Sequence, residues 1–280
     1  MPQKEEIVKT SFYQLFFLYS LLILLASLGF LSKYTLHFEV FAVLIAILGI
    51  YIIEDKIEIN KNIHIAIFVI AILLIVFFRI IPYSNNSVPL GFDSGIYKYA
   101  IDQFKIHGLK TEHWVKGLMS PGFLYLIYPL SFIFSSEFII TKLFILSTLF
   151  LGLSIYLFST IYFNKETALI SILVYSLSLT QFEVFNLLYF KNVLALSFML
   201  LAFYFLKKDR NIHFIILSVL TGAMHIPTFL IFSLSFLSFS IYKKNKQNIK
   251  LYSIILVLTG ISYLGFYKIS IFPLLAPFFS

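Results

Sequence analysis

The chain has 280 residues, of which 60% are hydrophobic and only 12% charged; with a mean hydropathy of +0.95 it lacks the charge that a water-soluble domain of this size needs to cover its surface. The formal net charge of +8 sits mostly in short loops between apolar runs, so it sets membrane orientation rather than marking a nucleic-acid partner. Cysteine is absent, which excludes disulfides, thiolate metal sites and thiol nucleophiles.

The first apolar run, Phe12–Leu31, is almost pure Leu, Phe and Ile, and no Ala-x-Ala cleavage site follows it. It therefore reads as a retained span, not a cleaved signal. Further runs follow at His37–Ile53, Ile63–Ile81, Phe138–Ile161, Ala168–Thr180, Asn192–Leu206, Ile212–Met224, Ile226–Tyr242 and Leu251–Tyr267. They are continuously apolar instead of alternating, which predicts helices and not the strands of a barrel. Several are short of the roughly 20 residues that cross a hydrocarbon slab, which a packed bundle tolerates. The expected fold is all-α: a polytopic membrane helical bundle of about nine transmembrane helices, forming a single membrane domain over 1–280.

With the N-terminus inside, five short segments face the cytoplasm. They carry Lys4 and Lys9; Lys56 and Lys61; Lys165; Lys207, Lys208 and Arg210; and Lys243, Lys244, Lys246 and Lys250. This pattern follows the positive-inside rule and places the long loop Pro82–Glu137 outside the cytoplasm, with the turns near Lys33, Gln181–Lys191 and His225. It requires that Pro121–Phe134, apolar but short and holding Pro121 and Pro129, stays interfacial or re-entrant.

The loop 82–137 is the one sizeable polar stretch, holding Asp93, Asp102, Glu112, Glu137, two histidines and the sole tryptophan, Trp114. After Gly91-Phe92-Asp93 the pattern predicts an amphipathic helix suited to the membrane interface, with Ile96, Ala100, Ile101 and Phe104 on one face. Two compatible roles are open to Asp93: an N-cap of that helix, or a general base taking a proton from an attacking hydroxyl or amine. Arg79 either snorkels at the end of its apolar run or binds a phosphate bidentately. Lys116 and Lys191 are further outer cations. Glu183 is either functional beside apolar helices or part of a solvated turn, and His225 either lines a cavity or caps a turn. A divalent metal stays open as a cofactor, because Glu112 and His113 with His107 or His225 offer ligand types, without the helical His-x-x-x-His spacing.

Three successive patterns resemble the C-type integral-membrane glycosyltransferases (GT-C), the superfamily of protein mannosyltransferases, aminoarabinose transferases and oligosaccharyltransferase catalytic subunits. The first is Asp93 with Tyr97 early in the loop. The second is Ser120-Pro121-Gly122-Phe123-Leu124-Tyr125, similar to a Pro-Pro-Leu-Tyr stretch, followed by Phe163-Asn164-Lys165-Glu166-Thr167-Ala168-Leu169 before the next helix. The third is Leu220-Thr221-Gly222-Ala223-Met224-His225-Ile226-Pro227. The resemblance spans 82–244. It implies a transferase that moves a sugar from a polyprenyl-phosphate-linked donor to a protein, lipid or glycan acceptor on the non-cytoplasmic face. By that resemblance Asp93 would be the catalytic base; Tyr97, Arg79, Lys116, Glu183, Lys191 and His225 are the candidates for binding substrate.

Two departures stand out. Many members carry an acidic residue where this chain has Lys191-Asn192, with Glu183 as a nearby substitute, and the chain ends at Ser280 where members continue through further spans. A short variant, a truncated relative or half of a split enzyme fits the second departure. The alternatives are a lipid or sugar transporter or flippase, and a non-catalytic, degenerate transferase-like subunit with a membrane partner. No ATP-binding loop or redox motif is present.

Overall fold

A computed structural model describes residues 59–83, 91 and 93–267. The runs at Phe12–Leu31 and His37–Ile53, with Lys4, Lys9, Lys33 and Lys56, lie outside the described residues. Every regular element among the described residues is helical. In chain order these are α1 (Lys61–Ile80), α2 (Ser94–His107), α3 (His113–Leu118), α4 (Pro121–Ser131), α5 (Ser136–Tyr162), α6 (Lys165–Leu177), α7 (Leu179–Asn186), α8 (Phe190–Lys207), α9 (Asn211–Met224), α10 (Ile226–Tyr242) and α11 (Lys246–Tyr267). Four are long and apolar enough to cross a membrane: α1, α5, α8 and α11 over Lys246–Phe266. The apolar helices α9 and α10 are shorter, at 14 and 17 residues. At 11 residues, α4 reaches only about 16 Å, half of a hydrocarbon core of roughly 30 Å.

Residues 1–81 with 155–184 form one compact unit, and residues 82–154 with 185–280 form a second. In the first, Asn60 caps α1 by accepting from the Asn62 N–H at 2.9 Å. The ring of His64 bonds the Tyr156 hydroxyl at 2.9 Å. Along α1, Ile63, Val69, Ile70, Leu73 and Phe77 expose about half of their surface or more, which suits a helix bathed in hydrocarbon rather than water. The helix α6 starts at Asn164, whose side chain accepts from the Thr167 N–H at 2.7 Å, and packs along α1.

In the second unit α8, α9, α10 and α11 pack around Ala202, Phe214, Phe229, Phe232, Phe236, Leu251 and Ile255. Short connections force neighbouring helices antiparallel. The α8–α9 turn closes with Asp209 in the left-handed region (φ 55°), its N–H bonding Leu206 O and the Arg210 N–H bonding Phe205 O. The α10–α11 turn repeats this pattern at Lys244 (φ 51°), with bonds to Ile241 O and, from Asn245, to Ser240 O. Both satisfy carbonyls that a helix end leaves orphaned. Buried serines and threonines, such as Ser147, Ser197, Ser218 and Ser240, donate to carbonyls four residues back. This pairs most of the hydroxyls that the apolar helices carry, Thr259 on α11 being an exception.

Two local expectations change. The stretch Gln181–Lys191 is not simply a turn: Ser178 leaves helical geometry (ψ 118°) and its hydroxyl accepts from the Gln181 N–H, restarting the chain as α7. The apolar stripe of α2 is spent inside the protein instead of on the interface. Ala100, Ile101 and Phe104 are buried, with Phe104 against Tyr125, Tyr128 and Phe266 at ring distances of 6.3, 5.2 and 6.3 Å.

Candidate functional site

The three sequence patterns of the second unit meet at one end of its helices. Ser120, just before α4, donates its hydroxyl to Met224 O at the end of α9. Two residues on, Gly122 lies against Ala223 so closely that a Cβ would stand 2.8 Å from the Ala223 carbonyl carbon. The next residue, Phe123, is fully buried and meets the ring of Tyr97 edge-on at 5.3 Å. Phe123 also packs on Phe190 at 5.2 Å, which begins α8 beside Lys191.

Asp93 stands immediately before α2 with φ −87° and ψ −7°, and its side chain makes no cap bond. The capping reading fails here because the residue is already helical, whereas an N-cap carboxylate needs extended geometry to fold back. The local bonds are made by others: the Ser94 hydroxyl donates to Gly91 O at 2.7 Å, and the Tyr97 N–H donates to Asp93 O at 2.9 Å. The half-buried carboxylate thus stays available. Gly91 itself admits no side chain, since a Cβ there would lie 2.5 Å from Asn186 O.

Lys191 lies within electrostatic range of this carboxylate. Its ammonium lies 6.0 Å from the centre of the Tyr97 ring and donates to Leu118 O, and it interacts electrostatically with Asp93. Tyr97 is buried. Burial holds its phenol well above the ordinary tyrosine range, a hydrogen bond from the Lys191 backbone opposes this, and the Asp93 charge adds to the rise. Tyr97 is therefore a neutral donor at physiological pH. His225 closes the group, feeling the charge of Lys191. It caps α10, with Nδ1 accepting from the Thr228 N–H at 3.3 Å and 2.8 Å from the Thr228 hydroxyl. Its pKa is lowered, first by burial and second by Lys191.

Asp93, Tyr97, Lys191 and His225 are therefore gathered from α2, α8 and the α9–α10 junction. Of the other three candidates, one belongs to the same unit and two belong to the first. Lys116 is buried and donates to Leu109 O at 3.1 Å, pinning the loop between α2 and α3. Arg79 belongs to the first unit and is fully buried, so its guanidinium is enclosed by protein instead of reaching out from the helix. Glu183 also belongs to the first unit, on α7. Among the described residues no three His, Asp or Glu side chains come together as a metal-ligand group.

Sequence reasoning missed the left-handed Leu188 (φ 58°), which turns the chain from α7 into α8 and delivers Lys191. It also missed the ion pair between Lys98 and Glu137, which ties α2 to the start of α5. Charge alternation in the loop was the only signal for that pair.

Beside this group, α4, α5 and α8 form an open groove of about 220 Å³, lined by Leu126, Leu130, Leu146, Phe150, Phe190 and Leu194 among others. Its wall is apolar apart from Ser147, and Phe190 is adjacent in sequence to Lys191. No family model matches the chain, and no curated protein or solved structure is significantly similar to it.

Proposed function

We propose that this chain is a membrane glycosyltransferase of the C-type kind, moving a sugar from a polyprenyl-phosphate donor to an acceptor on the non-cytoplasmic face. The observation that carries the reading is the uncapped Asp93 carboxylate four residues before the buried Tyr97, whose ring meets the Lys191 ammonium within electrostatic range of Asp93. Asp93 accepts the proton of the acceptor hydroxyl or amine as it attacks the anomeric carbon. Lys191 stabilises the negative charge on the departing lipid phosphate, with Tyr97 and His225 positioning the sugar. The apolar groove that begins at Phe190 has the composition that an isoprenoid chain requires. In this reading seven apolar helices of the described residues and two earlier runs make nine spans, with the outer loop over 82–137.

Purified protein, tested for sugar transfer and for donor-dependent thermal shift, decides the matter. Asp93→Asn is expected to keep the shift and lose transfer by about 10²–10⁴-fold. Full transfer by a folded Asp93→Asn protein sinks the base assignment, and absence of a shift with every donor lipid sinks the transferase reading. A second reading is favoured by Lys191 standing where an acidic residue is expected: a non-catalytic subunit, marked by donor binding that appears only with a copurifying partner.

A further inference from the structure

The last turn of α1 holds a guanidinium with no counter-charge among the described residues. Arg79 is fully buried, and arginine stays protonated whatever its surroundings. Its described neighbours are neutral. Nη1 donates to Ser176 O at a long 3.4 Å, and the Tyr175 ring centre lies 5.5 Å away, with a side-chain hydrogen bond between the two. Nε and Nη2 have no partner among the described residues. These two donors share one edge of the planar group, spaced to meet two oxygens of a single oxyanion.

We propose that the Nε/Nη2 edge of Arg79 is a binding site for the phosphate group of a membrane lipid. An unpaired charge in a low-dielectric interior is among the least tolerated arrangements in a folded protein, so the occupant is an anion with two acceptors. Its source follows from position. Arg79 ends a 20-residue apolar helix whose flank exposes Ile70, Leu73, Phe77 and Ile80, which is the depth at which acyl chains give way to phosphates. Within the same unit Glu166 sits in the first turn of α6, nine residues before Tyr175 and about 14 Å away along the helix. Glu183 is the chain-borne rival. The site belongs to the unit that lacks Asp93, and it stands or falls independently of the transferase reading.

The test uses the full chain in detergent and native mass spectrometry. The probes are phosphatidylglycerol, a polyprenyl phosphate, diacylglycerol with matching tails, and inorganic phosphate. Wild-type protein is expected to retain phosphate-bearing lipid as a 1:1 adduct and to release diacylglycerol. Arg79→Lys, which keeps the charge but loses the fork, is expected to weaken retention at least tenfold, with Glu183→Gln unchanged. Preference between the two phosphate lipids identifies the natural source, and displacement of both by inorganic phosphate assigns the site to a free anion. Retention by Arg79→Met equal to that of wild type, or equal binding of diacylglycerol, overturns the proposal. So does a Glu183→Gln protein as heat-labile as Arg79→Met with no lipid adduct on wild type, because the fork then belongs to an internal ion pair.

Discussion

Replacing Gly122 with alanine probes the contact that brings two of the three site segments together. The new Cβ would lie 2.8 Å from both the carbonyl carbon and Cβ of Ala223 and 3.0 Å from its oxygen, whereas carbon atoms pack best at about 3.5–4.0 Å. Two of those three atoms are backbone, so no rotamer change relieves the clash. The start of α4 must back away from the end of α9, stretching the bond between Ser120 and Met224 O. Overpacking of this kind costs about 1–3 kcal/mol, and the helical preference of alanine returns up to about 1 kcal/mol. The net expectation is a loss of up to about 3 kcal/mol. Gly260, on the exposed side of α11, provides the opposite case: a Cβ added there would meet nothing within 4 Å, and alanine gains up to about 1 kcal/mol. Far-UV circular dichroism during heating in detergent compares both with wild type. Two variants of equal stability would refute the close approach of α4 and α9.

His225→Asn separates capping from titration. Burial and Lys191 lower the folded pKa of His225 below its unfolded value of about 6.5, so the unfolded state binds more protons between those two values. Wild-type stability therefore falls as pH drops below about 6.5, while the asparagine variant, still able to cap α10, loses that slope. An unchanged pH profile of melting temperature argues against it. Asn164→Ala removes the acceptor for the Thr167 N–H and is expected to cost about 1 kcal/mol, read in the same melts. Lys244→Gly relieves an exposed left-handed residue and is expected to raise stability by about 0.5–1 kcal/mol; a lower melting temperature contradicts that.

The described apolar runs were legible because burial in hydrocarbon leaves a plain linear signal. Ile63–Ile81 became Lys61–Ile80, Asn192–Leu206 became Phe190–Lys207, and Ile226–Tyr242 kept its bounds. What the sequence could not display was the partner of each face. The period of Ala100, Ile101 and Phe104 was correct, but the surface meeting it is Tyr125, Tyr128 and Phe266, not lipid. Arg79 read as a cation reaching out from its helix because the residues that enclose it, Tyr175 and Ser176, lie almost a hundred positions onward. Asp93, Tyr97, Lys191 and His225 could be named as polar residues near helix ends, yet their convergence depends on the Leu188 turn. Leucine is among the residues least expected in left-handed geometry, so no local pattern announces that turn.

The face of α2 opposite its buried stripe carries a built-in optical probe. Trp114 stacks on Tyr99 with ring centres 5.3 Å apart and planes 16° from parallel, and its indole N–H is held by the Glu112 carboxylate. Because Trp114 is the chain's sole tryptophan, its emission reports on this loop alone. The stacked tyrosine is an energy donor within contact range, and the carboxylate at the indole nitrogen makes the emission colour sensitive to local charge. Any displacement of α2 against α3 would register in the untouched protein as a change in intensity and wavelength, without a label or an engineered residue.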